Sequence, residues 1–274
     1  MAVILRGFIN LYYYLNEEIA GFVYFLLDKR TQDWPLMRSP WPGLLIITLY
    51  LLTVLKFLPK YMENRPSFDL RKIIAIYNSI QVLGCMYVVY QSLKLGWFNH
   101  YKLVCQPVDD GPLAEEFAWK ACYGYFVLKL VDLFDTIFFV LRKKQNQVSF
   151  LHVYHHFGMV AVAWGIVKWV PGGHTSLLLP LNSFVHVIMY SYYLITIWDE
   201  SYKQSLWWKK YVTQIQILQF SILLIHFLVL AFAPQCEFPR QPAYILIPQN
   251  LFMVILFCDF YYRSYIKTDK TKHK

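Results

Sequence analysis

The stretch FLHVYHHFGMVAVAWGIVKWV, Phe150 to Val170, is apolar over the length needed to cross a bilayer as an α-helix, about 20 residues. Its first turns nevertheless carry His152, His155 and His156. The spacing i, i+3, i+4 puts all three imidazoles on one helical face. A charge at the bilayer centre costs about 2.5 kcal/mol or more, and neutral ring nitrogens in lipid still need partners. Three imidazoles on one face therefore read as a catalytic or metal-binding feature turned toward a protein interior. The plainer reading is polar glue between helices.

The rest of the chain has the same character. It is 57% apolar and 19% aromatic against 16% charged residues, a balance that excludes an ordinary soluble domain. No Gly/Ser linker or low-complexity segment divides it, so residues 1–274 are read as one all-α, polytopic membrane domain. Seven runs reach spanning length: Pro42–Leu58, Ile73–Leu93, Phe117–Leu141, Phe150–Val170, Thr175–Trp198, Trp207–Ala233 and Ala243–Ile266. The third and fourth carry polar residues that depress their hydropathy. Residues 1–35 are apolar but interrupted by Asn10, Asn16, Glu17, Glu18, Asp28 and Asp33, and they show no small-residue cleavage site. They are read as a Tyr-rich interfacial segment rather than a signal peptide.

Charge orients the bundle. After the first, third and fifth runs come Lys60, Arg65, Arg71 and Lys72, then Arg142, Lys143 and Lys144, then Lys203, Lys209 and Lys210. Arg263, Lys267, Lys270, Lys272 and Lys274 follow at the end of the seventh run or beyond it. The alternate loops have fewer bases (Lys94, Lys102, Lys168 and Arg240) and contain Asp109, Asp110, Glu115, Glu116 and Glu237. The positive-inside rule then places the C-terminus in the cytosol and the N-terminus in a lumen. The net charge of +9 reports a basic cytosolic rim suited to anionic headgroups or a phosphorylated substrate. Nothing supports nucleic-acid binding. Cys85, Cys122 and Cys258 fall within runs as small buried hydrophobes, and Cys105 and Cys236 fall in two non-cytosolic loops, where an oxidising compartment permits a disulfide. Lys270 and Lys272 match a dilysine retrieval signal of the endoplasmic reticulum.

Four runs carry polar residues at helical spacing. The third has Lys129, Asp132 and Asp135 at i, i+3 and i+6, with Thr136 beside them; the fourth has the histidines. The fifth has Asn182, His186, Met189, Tyr190 and Tyr193 on one face, and the sixth has Thr213, Gln216 and Gln219. Each stripe must turn from lipid, and the least costly arrangement converges them on a shared polar chamber. For a single stripe the alternative is interhelical hydrogen bonding, and Lys129 with Asp132 is open to a purely structural ion pair.

Lys129-x-x-Asp132-x-x-Asp135-Thr136, His152-x-x-His155-His156, Asn182-x-x-x-His186-x-x-Met189-Tyr190-x-Tyr192-Tyr193 and Thr213-x-x-Gln216-x-x-Gln219 occur in this order on separate runs. With them the chain resembles the very-long-chain fatty acid elongases, the membrane 3-ketoacyl-CoA synthases of the ELO family. One departure is visible, since the family usually has Glu where this chain has Asp132. The resemblance implies seven helices around a polar chamber and an acyl tunnel. It implies condensation of an acyl-CoA with malonyl-CoA, with loss of CoA and CO2, in the endoplasmic reticulum membrane, without a tightly bound cofactor or metal. The implied partners are membrane lipid and the reductases and dehydratase of the elongation cycle, with a second copy of the chain as a further candidate.

No thiol lies in a polar stripe, so His155 is read as the nucleophile and His186 as its base or activator. His152 and His156 would polarise the carbonyl, Asp135 or Asp132 would fix an imidazole tautomer, and Lys129 would stabilise negative charge. Direct condensation without an acyl-enzyme stays open. Asn182, Tyr190, Tyr193, Thr213, Gln216 and Gln219 would line the substrate site, and Arg142, Lys143, Lys144, Lys209 and Lys210 would meet the CoA head. The rivals are a di-iron lipid desaturase or hydroxylase and a seven-helix receptor or transporter. The first lacks a second histidine cluster, because His100, His174 and His273 lie in loops or the tail and His226 sits alone in the sixth run.

Overall fold

The computed structural model describes residues 28–199, 201–204 and 206–267. Asn10, Asn16, Glu17 and Glu18, and the tail with Lys270, Lys272 and Lys274, lie outside the described residues. Among the described residues every regular element is helical. In chain order the long helices are α1 (Trp41–Met62), α2 (Arg71–Trp97), α3 (residues 114–141), α4 (Phe150–Trp169), α5 (His174–Trp198), α6 (Trp207–Phe232) and α7 (Gln241–Lys267). Six of them, all but α3, are long and apolar enough to cross a membrane. α3 is a continuous rod of Ala114–Phe117, Ala118–Tyr123 and Gly124–Leu141, and Lys129, Asp132 and Asp135 lie within it.

Local chemistry sets the helix boundaries. Pro42 and Pro242 stand in the first turns of α1 and α7, where a missing amide hydrogen is harmless. Pro59 cannot donate to the turn before it, and α1 widens there into a π turn, Thr53–Phe57. Ser149 caps α4 by accepting from His152 N at 3.2 Å, which fixes where the histidine face begins. Between α4 and α5, Gly172 and Gly173 have φ of 109° and 64°. A Cβ at Gly173 would stand 2.8 Å from the Pro107 carbonyl oxygen and the Phe238 ring, so only glycine fits this turn.

α2 packs along α5, α6 along α7, and α3 against α4, around a core that includes Phe117, Tyr125, Phe126, Val160, Leu179, Leu223 and Phe227. α3 reaches both ends of the bundle. At one end Phe117 packs on Tyr101, with ring centroids 5.1 Å apart. At the other, Leu141 O accepts from Phe68 N at 3.1 Å, and Lys143 Nζ donates to Glu63 O at 3.3 Å.

The end opposite the basic loops is tied together covalently. Cys105, between α2 and α3, and Cys236, between α6 and α7, form a disulfide with Cα atoms 5.7 Å apart and 131 residues of separation. A loop of that length gives a chain-entropy stabilisation on the order of 4–5 kcal/mol. Cys236→Ser is therefore expected to lower the thermal unfolding temperature, and non-reducing peptide maps of fresh membranes should contain the crosslinked peptide. Two free thiols in those maps would contradict the bond.

Residues 28–35 are the described part of the N-terminal segment. Asp28 N bonds Lys168 O, Arg30 Nη1 bonds Asp109 O, and Trp34 stacks edge-on against Trp119 and Tyr123, so the segment is docked on the disulfide end. The Asp28 carboxylate also raises the Arg30 pKa through their hydrogen bond. Cys258 is exposed rather than buried, because α7 is apolar on every side and its outer face meets no other helix. His226, the single histidine of its own run, has a histidine partner from another helix. It stacks on His174 with ring centroids 3.7 Å apart, and each Nε2 bonds the other residue's backbone carbonyl, at 3.0 and 3.1 Å.

Candidate active site

In the half of the bundle nearer the basic loops, α3, α4 and α5 bring their polar stripes together, and α2 adds two side chains. Lys129 Nζ donates to Asp132 Oδ2 at 2.6 Å, and the pair is 1% and 3% exposed, effectively dry. On the i, i+3 spacing this contact is local to α3. Everything else about it is tertiary. Nδ1 of His186 stands 3.4 Å from Lys129 Nζ and 3.6 Å from Asp132 Oδ2. Asp132 Oδ1 accepts from Gln81 Nε2 at 2.5 Å, and Tyr190 OH stands 3.1 Å from the same oxygen. Lys129 also sits over the Tyr125 ring, 4.9 Å from its centroid, where the π face helps hold a buried ammonium.

The imidazoles form a second layer against this one. The His155 ring centroid lies 6.5 Å from His186, 5.7 Å from His156 and 6.0 Å from Phe220 on α6. The His152 and His156 rings lie 4.1 Å apart, tilted by 43°. His152 Nε2 bonds Thr136 Oγ1 at 2.9 Å, and that hydroxyl bonds Tyr50 OH at 2.8 Å. Nδ1 of His156 is buried without a partner. Such an orphaned nitrogen carries a standing cost and is a common mark of a functional position. His152 and His155 are half-buried, so the open side of the layer lies with them.

A family model described as ELO, GNS1/SUR4 family, matches residues 35–273. The chain belongs to the ELO family. It is 42% identical to human very long chain fatty acid elongase 4 over 94% of this chain and 82% of that protein. It is 41% identical to elongase 7 of Drosophila melanogaster over 88% of this chain and 74% of that one. Elongase 2 of Mus musculus is 39% identical over 88% and 81%. These matches give no support to the desaturase reading or to the receptor or transporter reading.

Within this ELO chain the remaining expected residues divide. Tyr190 joins the network and donates to Asp135 Oδ2 at 2.6 Å. Asp135 faces this phenol, and of the two carboxylates read as fixing an imidazole tautomer it is Asp132 that stands near a ring nitrogen. Asn182 is buried one turn away, its Oδ1 accepting from Tyr125 OH at 2.7 Å. Tyr193 is 36% exposed, with its ring 6.1 Å from Tyr190.

The α6 stripe meets the α5 stripe at Met189 but makes no hydrogen bond to Lys129 or Asp132. Thr213 bonds its own helix at Lys209 O and lies 3.5 Å from Tyr265 OH, and Gln216 Nε2 contacts Met189 Sδ at 3.8 Å. Gln219 lines a cleft between α4, α5, α6 and α7 with Met159, Phe220, Leu246, Gln249 and Asn250. Its separation has a physical reason: α6 pairs chiefly with α7, which draws the stripe toward that helix. Arg142, Lys143, Lys144, Lys209 and Lys210 stand at the basic ends of α3 and α6, at a distance from the polar network. Among the described residues no three His, Cys, Asp or Glu side chains converge as metal ligands.

Four network members escaped the sequence reading: Tyr50, Tyr77, Gln81 and Tyr125. Tyr50 and Tyr125 are single phenols in apolar runs and leave no pattern. Tyr77 and Gln81 are spaced i, i+4 and share a face of α2, a usable signal hidden by the apolar residues around them.

Proposed function

We propose that the protein is a condensing enzyme of fatty acid elongation, joining a long-chain acyl-CoA to malonyl-CoA to give a 3-ketoacyl-CoA two carbons longer. The observation that carries the reading is the buried Lys129–Asp132–His186 cluster facing the imidazole layer of α4, in a chain of the ELO family. Relatives named as very long chain fatty acid elongases supply the substrate class.

In this mechanism the His155 imidazole attacks the acyl thioester carbonyl. The CoA sulfur leaves and takes a proton, with His186 as the acid–base partner that the Lys129–Asp132 pair orients. His152 and His156 direct N–H or dipole toward the developing oxyanion. Malonyl-CoA then loses CO2, its enolate carbon attacks the acyl-imidazole, and His155 is released. Lys129 stabilises the negative charge of that step, while Asp135 and Tyr190 hold the Asp132 side of the cluster. The balance is one acyl-CoA, one malonyl-CoA and one proton giving 3-ketoacyl-CoA, CoA and CO2. Asn182, Tyr193, Thr213, Gln216 and Gln219 line the path of the substrate, and the acyl chain follows an apolar tunnel between the helices. Arg142, Lys143, Lys144, Lys209 and Lys210 receive the phosphates of CoA.

This assignment takes α3 as a seventh membrane-crossing helix, with the polar chamber enclosed between α2 and α6. Lys129, Asp132 and Asp135 sit on faces turned to α2 and α5, where they meet partners instead of lipid. The C-terminus is cytosolic, and the disulfide end faces the lumen of the endoplasmic reticulum, an oxidising compartment. The reductases and dehydratase that consume the 3-ketoacyl product, and a second copy of the chain, are the proposed partners. The test is incorporation of radiolabelled malonyl-CoA by the purified protein with a panel of long-chain acyl-CoA substrates. Label should appear in a product two carbons longer, with one CO2 released per product. Absence of incorporation across the panel would overturn the reading.

A further inference from the structure

Tyr77 and Gln81 approach the Lys129–Asp132 pair from α2, a helix that carries none of the four motifs. Gln81 is 0% exposed. Its Nε2 donates to Asp132 Oδ1 at 2.5 Å and to Tyr77 OH at 3.0 Å, while its Oε1 is buried with no partner. The orientation follows from chemistry, since an ionised carboxylate only accepts and the amide must turn its NH2 toward it. An unpartnered buried acceptor is a standing cost, and a leucine or methionine would fill the same space without it. The amide is thus placed for its donor, and that donor serves Asp132.

Asp132 divides its oxygens. Oδ1 takes Gln81 and lies near Tyr190 OH, while Oδ2 takes Lys129 and lies near His186 Nδ1. Rotation of the carboxylate would move Oδ2 off both the ammonium and the imidazole. The Gln81 donor on Oδ1 comes from α2, rather than from α3 itself, and resists that rotation. Building on the condensing-enzyme reading, we infer that Gln81 is a positioning residue: it locks Asp132 so that Lys129 and His186 meet the reacting atoms in one geometry. A short carboxylate on α3 is met by a long amide from α2, so the two side chains form a length-compensated pair.

Gln81→Met keeps length and volume and removes the donor. Its kcat for malonyl incorporation should fall roughly tenfold, the scale of one lost hydrogen bond to a charge. KM for acyl-CoA should stay within about twofold, because the loss is realised in turnover. Gln81→Asn and Asp132→Glu should each lower kcat, and the double variant should exceed the product of the two single effects, since the summed length is restored. A Gln81→Met enzyme with kcat within about twofold of the parent would overturn the inference. So would a double variant that is only multiplicative. If Gln81→Met does not fold, Gln81→Asn carries the same kcat test. An inactive parent would overturn the condensing reading instead. Gln81 is then decided by the infrared carboxylate band of Asp132 in 13C-aspartate-labelled protein, assigned by its loss in Asp132→Asn. A shift in Gln81→Met supports the lock, and an unmoved band overturns it.

Discussion

Condensation is expected to collapse in His155→Ala and in His186→Ala, each by roughly a thousandfold or more, while the protein stays folded and membrane-inserted. The expectation follows from the mechanism: removing a nucleophile or its acid–base partner removes stabilisation made only in the transition state, so kcat falls and KM changes little. Their surroundings favour retention of the fold. The His155 ring packs edge-on to Phe220 and its nearest imidazoles are more than 5 Å away centroid to centroid, so alanine there strands no charge. The His186 ring faces Lys129 and Asp132, which remain paired with each other when it is removed. Purified variants assayed beside the parent, with size-exclusion profile and thermal unfolding as fold controls, give the answer. Substantial turnover in either variant would remove that residue from the mechanism.

Asp132→Ala is the second large effect, and it should appear in stability as well as activity. Lys129 would be left as an ammonium in a site only 1% exposed, and breaking a buried pair from one side costs about 3–5 kcal/mol. Gln81 would lose its charged acceptor in the same step. Combining Asp132→Ala with Lys129→Met removes the stranded charge and should recover most of the lost unfolding temperature without recovering turnover. Asp132→Glu keeps the charge and the fold, and loses only part of the activity through crowding against Gln81. A Lys129→Met/Asp132→Ala protein as active as the parent would show the pair to be structural and take both residues out of the mechanism.

Much of this architecture was legible because helical periodicity and burial cost act locally. Lys129, Asp132 and Asp135 had to share a sheltered face, and Asn182, His186 and Tyr190 had to do the same on another helix. The structure brings those faces together with the histidines of α4. The α6 stripe shows the limit of the argument. Its spacing equally permits polar packing toward α7, and Thr213 takes a partner of that kind in Tyr265, while Gln216 turns to Met189 of α5. The missing partners were hidden by distance along the chain. Gln81 meets Asp132 across 51 residues, Tyr50 meets Thr136 across 86, and His174 meets His226 across 52. None of these contacts has a local pattern. Cys258 was misplaced for a related reason: on a helix apolar all round, composition does not say which face turns inward.

The most direct measurement is a two-step chase. Purified protein is incubated with a long-chain acyl-CoA alone, freed of unbound substrate, and divided between intact-mass analysis and addition of radiolabelled malonyl-CoA. The expected result is one acyl group per protein, mapped to the His155 peptide and absent from His155→Ala. Adding malonyl-CoA should discharge it into a labelled 3-ketoacyl-CoA two carbons longer. A protein that turns over both substrates yet carries no acyl group, or carries one that malonyl-CoA does not discharge, would contradict the acyl-histidine account.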